Sequence, residues 1–403
     1  MSKTSHHKKF AVRILALTTI LLTPLILFLA ISSPAHADDL GFDHGYKQFV
    51  YFYKPPSNND LQTLSKYFNT FILTRKDETT VRNLKKMGVN TPFLQYYLTN
   101  AIHNPGPNSC TATPYGNTVA DTAGDYCYIR DNHPDWFLRD INDKIVQEWN
   151  GAQLIVYMDP ANPGWQQFFI QRALERHDQY AGEWEGLFLD NLDASLARFS
   201  KQGIQFKKYT DDASYRNAFK PFLTALRQGY AAKTGHGIFA NITEFKNSAA
   251  WFEYMQYLDG AMDEGWAVDW HTGYKPTSEW LEDLNRIKQT QALEKRAILV
   301  AQGDSKTDYK RQQFAYASYL LITDGHAAFR YASANYYHEA WIYANYDIDL
   351  GTPVGSFYSA GTNLYRRNFT KGYVTVNPVT RESAIILSPM NLNFRTFLTV
   401  LMH

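Results

Sequence analysis

The sequence predicts an α/β chain built on a (β/α)₈ barrel, and three observations carry that expectation. Eight short β-rich runs, each ending in polar residues, recur between residues 48 and 331. Amphipathic helical stretches lie between them, and strand-then-helix repeated eight times is the pattern of a closed parallel barrel. No Gly-rich phosphate loop follows the first run, so the runner-up, a doubly wound open sheet, lacks its marker.

The chain divides into an expected leader at 1–37, the barrel at 38–345 and a small β-rich region at 346–403. The leader carries Lys3, Lys8, Lys9 and Arg13 without an acid, then an apolar run from Ile14 to Ile31 broken only by Thr and Pro24. Small residues at Ala35 and Ala37 complete the pattern of an export signal cleaved before Asp38. An uncleaved anchor is the competing reading, since about 18 apolar residues can just span a bilayer. Cleavage leaves a secreted or periplasmic chain with no stable membrane association. It also removes four basic groups and turns the formal charge of +1 into −3.

The eight expected strands are Gln48–Tyr53, Thr70–Leu73, Pro92–Tyr97, Gly186–Asp190, Gly237–Asn241, Gly260–Glu264, Ala297–Ala301 and His326–Tyr331. Helical stripes at three- and four-residue spacing run through Leu61, Leu64 and Phe68, and through Val81, Leu84 and Met87. A longer one joins Phe219, Phe222, Leu223, Leu226 and Tyr230; a fourth joins Leu281, Leu284 and Ile287. Asn162-Pro163 supplies an N-cap and an N1 proline for the helix before the fourth strand. Gly88 and Gly235 sit just past helix ends, where a left-handed residue is wanted.

An insertion at about 100–158 interrupts the third β/α unit, and long loops of this kind decorate the active-site end of such barrels. It holds an expected hairpin, Trp136–Arg139 turning at Asn142-Asp143 to Ile145–Gln147, and a strand at Leu154–Tyr157. It also holds both cysteines, Cys110 and Cys127, which in an exported chain are expected to form a disulfide. His103 and His133 are nearby, but the spacing fits no zinc pattern. Beyond residue 346 the texture turns to Gly- and Pro-bounded β-runs such as Gly372–Val376 and Ser383–Leu387.

Composition narrows the function. Near-neutral charge without basic clusters argues against nucleic acid, because phosphate binding needs concentrated Lys and Arg. Aromatic residues make up 15% of the chain, and flat aromatic faces stack on the apolar faces of sugar rings. No Gly-x-Ser-x-Gly elbow and no HExxH spacing occur, so serine and zinc hydrolysis lack their markers and neither metal nor cofactor is expected. Asn241-Ile-Thr243 and Asn368-Phe-Thr370 match the glycosylation sequon, which matters only in a eukaryotic secretory route.

Polar residues at the carboxyl ends of barrel strands surround one pocket. Those ends supply Tyr53; Tyr96 and Tyr97; Asp190, Asn191 and Asp193; Asn241 and Glu244; Asp263 and Glu264, followed by Trp266 and Trp270; Gln302 and Asp304; and Arg330. Asp190 closes the apolar run Phe188-Leu189, where a carboxylate is costly unless paired or used. Its bland reading is a helix cap or a partner for Arg330. Adjacent residues alternate sides of a strand, so only one of Asp263 and Glu264 is expected to face the pocket. Asp190 and Glu264 are the expected catalytic pair. Tyr53, Tyr97, Asn191, Glu244, Trp266, Gln302 and Arg330 are the expected substrate contacts. By position Glu244 could replace Glu264 as the acid, and Asp304 or Asp263 could do so with less support. Trp266, Trp270 and Tyr97 could equally be core residues.

Several motifs resemble a known group. Gly186-Leu-Phe-Leu-Asp190-Asn191 and Leu258-Asp259-Gly260-Ala-Met-Asp-Glu264-Gly265 are similar to strand-four and strand-six motifs of the endo-α-1,4-polygalactosaminidase family. They are more similar to its relative, hypothetical glycosyl hydrolase family 15. Asp159-Pro-Ala-Asn-Pro163, and Arg366-Arg-Asn-Phe-Thr-Lys-Gly372 leading to Val376-Asn-Pro378, resemble that second group too. The resemblance spans roughly residues 45–380 through short motifs. The run after Pro389 departs from the usual family ending. The resemblance implies a (β/α)₈ glycosidase with Asp190 as nucleophile or base and Glu264 as acid.

Two carboxyls across a barrel mouth suit glycosidic cleavage, in which one must be protonated and the other ionised. The expected activity is therefore hydrolysis of an extracellular polysaccharide or oligosaccharide. Long loops at the mouth suit an open cleft and internal cleavage. A non-catalytic carbohydrate-binding protein using the same cleft is the alternative, and a carbohydrate esterase a third reading.

Overall fold

The structure is a computed structural model that describes residues 45–53, 60–111, 116–151, 153–270 and 273–388. The expected leader and the ending after Pro389 lie outside the described residues. The first strand, β1 (Gln48–Phe52), is followed by α1 (Leu61–Tyr67), β2 (Thr70–Leu73), α2 (Glu78–Lys86) and β3 (Phe93–Leu98). The insertion then supplies β4 (Ala101–Asn104), α3 (Asp125–Asn132), β5 (Gln147–Asn150) and β6 (Gln153–Tyr157). Next come α4 (Pro163–Gln179), β7 (Gly186–Asp193), α5 (Ala197–Lys201), α6 (Asp212–Leu226) and α7 (Ala232–Thr234). The barrel finishes with β8 (Gly237–Thr243), α8 (Ser248–Met255), β9 (Gly260–Asp263), α9 (Thr277–Ala292), β10 (Arg296–Gly303), α10 (Tyr309–Ile322) and β11 (Ala327–Ser333).

Eight of these strands close a barrel in the order β1-β11-β10-β9-β8-β7-β3-β2, and the pairings around it are parallel. They are the eight β-runs of the sequence, shifted by no more than a few residues at their ends. Strands covered on both faces read as continuous apolar runs, and every residue of β2, β3 and β11 is buried. Gly260 marks a close approach between neighbouring strands. A Cβ there would lie 2.8 Å from the Arg296 carbonyl oxygen and 2.7 Å from the Phe239 ring.

Caps fix the helices that carry the loops. The Asn162 side chain accepts from the backbone N–H groups of Gly164 and Trp165, and Pro163 opens α4. Asp211 and Ser214 form a reciprocal capping box on α6. The chain passes from α6 through a wider turn into α7, and Gly235, at φ 75°, stops it.

In the insertion, β4, β6 and β5 form a three-stranded antiparallel sheet. The expected hairpin turn is present, with Arg139 bridging Ile145 and the Val146 N–H donating to the Leu138 carbonyl at 2.9 Å. Its expected start is corrected: Pro134–Trp136 is a single helical turn, because Pro134 at the first position favours helical φ. Cys110 and Cys127 form a disulfide with Cα atoms 5.0 Å apart, tying the loop to the first turn of α3.

The C-terminal runs form a four-stranded antiparallel sheet in sequence order: β12 (Pro353–Gly361), β13 (Leu364–Phe369), β14 (Gly372–Asn377) and β15 (Glu382–Leu387). The sheet rests on α10. Gln313 Nε2 donates to the Ser383 carbonyl at 2.8 Å, and Arg367 Nη1 reaches the Leu320 and Thr323 carbonyls at 3.2 and 2.5 Å. Covered by barrel and sheet together, α10 is buried nearly all round. Among the described residues no helix is long and apolar enough to cross a membrane.

Candidate active site

A β-bulge sets the position of Asp190. Leu189 on β7 pairs with Ala240 on β8, but the next pair is Leu192 with Ile242, so Asp190 and Asn191 together oppose Asn241. Asn191 takes the extra residue in the left-handed region at φ 58°, a conformation Asn tolerates better than most residues. A bulge of this kind re-aims side chains beside active sites. At the end of β9 the strand alternation separates two neighbouring acids. Asp263 turns outward to Arg286 at 2.5 Å, and Glu264 turns to the barrel mouth.

Asp190 and Glu264 meet there through one amide. Asn241 Nδ2 donates to Asp190 Oδ1 at 3.0 Å and to Glu264 Oε2 at 2.8 Å. The other oxygen of each carboxylate accepts from a phenol. Tyr96 donates to Asp190 Oδ2, and Tyr337 donates to Glu264 Oε1 at 2.5 Å. Gln302 Nε2 in turn donates to the Tyr337 oxygen. Among the described residues neither carboxylate is held in an ion pair. Burial, followed by the negative charge of Asp190, pushes Glu264 up to about 7, against the lowering effect of Tyr337, Asn241 and Arg198. A carboxyl placed this way holds its proton near neutral pH beside an acceptor-rich neighbour.

Glu264 and Asn241 line a cavity of about 550 Å³ with the loops after β8 and β9, Trp270 among them, and with the charged cluster of Asp263, Lys275, Asp283 and Arg286. The profile of hypothetical glycosyl hydrolase family 15 matches residues 94–373, from β3 into β14. The chain belongs to this family. It is thereby a glycoside hydrolase with a glycosidase-like function. No curated protein matches it. Among solved structures, the glycoside hydrolase domain of PelA from Pseudomonas aeruginosa is 16% identical, with a TM-score of 0.47 over 73% of this chain and 97% of that one. A maltogenic α-amylase, AmyB from Thermotoga neapolitana, is 10% identical, with a TM-score of 0.46 over 83% of this chain and 86% of the other.

Within this family member, the remaining expected contacts separate into two groups. Tyr53 is half-buried, its ring 4.4 Å from that of Tyr96. Asn191 lines the cavity and accepts from Arg198 Nη2 at 2.7 Å. Glu244 lines it as well, in a left-handed conformation and 3.2 Å from Lys201. These three stand where a ligand could reach them.

Four others are buried with partners of their own. Tyr97 alternates with Tyr96 and packs outward on Phe169 of α4, with no exposed surface. Trp266 also lies outside the barrel wall, fully buried, with Nε1 donating to the Ala315 carbonyl of α10. Gln302 is buried behind Tyr337 and acts on that phenol. Arg330 is buried over the Tyr51 ring and donates to the carbonyls of Tyr337 and Glu339, not to Asp190. Tyr96 and Asn241 stand at strand ends that the sequence marks, without an expected role. Tyr337 lies beyond the last strand in a segment with no periodicity, and nothing in the sequence singled it out.

Proposed function

We propose that this chain hydrolyses glycosidic bonds of an extracellular polysaccharide with retention of configuration, Asp190 acting as nucleophile and Glu264 as acid and then base. The observation that carries this reading is the amide shared by the two carboxylates. Two bonds of 3.0 and 2.8 Å to one nitrogen cap the separation of those oxygens at about 6 Å. Inverting enzymes need roughly 6.5–9.5 Å to seat a water between their carboxyls, whereas retaining ones use about 5–5.5 Å.

In the first step the Asp190 carboxylate bonds to the anomeric carbon. The glycosidic C–O bond breaks, and the Glu264 proton passes to the leaving oxygen. In the second, the Glu264 carboxylate takes a proton from water, whose oxygen displaces Asp190. The raised affinity of Glu264 for its proton suits the first role. Tyr53 and Trp270 are the aromatic surfaces proposed to receive sugar rings.

Export of the mature chain from Asp38 belongs to the same reading and is favoured by the Cys110–Cys127 disulfide, since such bonds persist in oxidising compartments. N-terminal sequencing of the protein recovered outside the cytoplasm tests it; a start at Met1 overturns it. For the chemistry, the mature chain is screened against amino-sugar and neutral polysaccharides beside Asp190→Asn and Glu264→Gln. Both variants are expected to lose nearly all turnover, and the first product released by the wild type to keep the substrate's anomer by proton NMR. Wild-type rates in both variants would remove the assignment, and an inverted first product would remove the nucleophile.

A further inference from the structure

We propose that Tyr337 is a positioning residue that places the acid proton of Glu264 on Oε1, donating to that oxygen when Glu264 is ionised and accepting from it when Glu264 is protonated, with Gln302 pinning the phenol oxygen. The proposal rests on the reading of Glu264 as the acid and adds where its proton sits and what holds it there.

Asn241 offers no acceptor to a proton on Oε2. The amide nitrogen that bonds Oε2 at 2.8 Å also bonds Asp190 Oδ1 at 3.0 Å. Turning that amide over would set its oxygen against an ionised carboxylate, so the charge on Asp190 fixes the NH₂ group toward both acids. An NH₂ group has no lone pair to offer a proton on Oε2. Oε1 has an acceptor beside it, since Tyr337 Oη is 2.5 Å away and a phenol oxygen can take a hydrogen bond.

A phenol has one hydrogen and can accept as well as donate. Gln302 Nε2 donates to the Tyr337 oxygen and lies 3.4 Å from the carbonyl oxygen of Glu264 itself. Two acceptors therefore set the orientation of the Gln302 amide, and the phenol oxygen is held while its hydrogen stays free to turn. Tyr337 keeps some exposed surface, and its single hydrogen turns away from Oε1 when Glu264 donates. Burial and the charge of Glu264 keep the Tyr337 hydroxyl well above its usual range, so it changes orientation and does not give up its proton.

Other charged or titratable groups lie near Glu264 or the Tyr337 ring. They are Asp190 on β7, Tyr96 on β3, Arg198 on α5, and Arg330 on β11, whose guanidinium carbon is 5.7 Å from the centre of the Tyr337 ring. Asp263 is turned away to Arg286. None of these can exchange donor for acceptor at Oε1.

The test is a carboxyl titration by ¹³C NMR on protein labelled at Glu, with the Glu264 signal assigned by its loss in Glu264→Gln. Tyr337→Phe removes a bond from both forms, and the ionised acceptor loses the stronger, charge-assisted one, so the Glu264 midpoint should rise by about one unit. Gln302→Met, which frees the phenol, should raise it by less, and it carries the test alone if Tyr337→Phe does not fold. With an active substrate, the alkaline limb of kcat/KM should move up with the midpoint while KM holds. A purely structural role for Tyr337 would lower rates at every pH and leave the limb in place. An unmoved midpoint in a folded variant overturns the proposal. Turnover surviving Glu264→Gln instead overturns the glycosidase reading, and the titration still reports on the hydroxyl.

Discussion

Arg286 and Asp263 meet at 2.5 Å, both almost wholly enclosed, at the edge of the cavity that Glu264 lines. The same guanidinium bonds Asp283 at 2.7 Å, and Lys275 bonds Asp283 at 2.5 Å, so two acids and two bases form a closed set. One residue further along, Glu264 faces the opposite way. Of two adjacent acids, one is thus neutralised by the helical layer and one is left to the barrel mouth. Removing one partner of a buried pair leaves an uncompensated charge and costs about 3–5 kcal/mol. Asp263→Ala should lose stability on that scale in urea unfolding. Glu264→Gln should unfold at or above the wild-type midpoint while turnover disappears, because the group removed is a buried acid beside another.

That same crowding gives the fold a pH signature. Glu264 is raised to about 7 in the folded chain, mainly by burial and then by Asp190, against about 4.3 when unfolded. The folded state therefore binds this proton more tightly. The associated stability is fully present below the unfolded value and is lost as pH rises through about 7, up to about 4 kcal/mol in all. Urea denaturation of wild type between pH 5 and 8 should show a decline that Glu264→Gln lacks. Equal slopes in the two proteins would contradict the raised affinity.

Much of the barrel was legible because its strands are short apolar runs and each ends in a polar group that the mouth can use. Asp190 and Glu264 were legible for the same reason: a carboxylate closing a buried strand has few places to go. Which of two neighbours faces inward was not, since β-alternation gives two faces without naming them. Tyr97 was the expected contact, yet it packs on Phe169 of α4 and Tyr96 reaches Asp190. The bulge at Asn191 depends on the β7–β8 register, which no local pattern carries. Helix α10 was hidden for another reason. Barrel and C-terminal sheet cover it from opposite sides, so Phe314, Ala315, Tyr316 and Ala317 are all buried and no stripe distinguishes a face. Tyr337 follows the last strand in an irregular segment whose position is set only by packing.

The disulfide fastens a segment that has little core of its own. Cys110 precedes residues that the sequence fills with Thr, Pro, Gly and Asn, and Cys127 sits in the first turn of α3. Closing a loop of this size stabilises by about 3 kcal/mol in the chain-entropy account. Replacing both cysteines by Ser should lower the thermal midpoint by a few degrees, and reducing agent should do the same to wild type but not to the double variant. A midpoint indifferent to both would mean the loop is held by its other contacts, such as Arg172 to Asp125 at 2.5 Å.

Trp266 and Trp270 are four residues apart and should respond oppositely to mutation. Trp266 is fully enclosed against α10, and its indole N–H is satisfied by the Ala315 carbonyl at 3.2 Å. Truncating a buried tryptophan removes its apolar contacts and leaves a cavity, at about 3–5 kcal/mol. Trp266→Ala should therefore unfold at markedly lower urea, and at temperatures where it is folded its KM should match wild type. Trp270 is 49% exposed at the rim of the cavity that reaches Glu264. Its removal takes away little buried area, so Trp270→Ala should keep the wild-type unfolding midpoint. If its indole receives a sugar ring, the loss of a stacking surface should raise KM several-fold and leave kcat nearly unchanged, since ground state and transition state lose the same contact. A fall in kcat with KM constant would place Trp270 at the reacting centre, and no kinetic change at all would take it out of the binding surface.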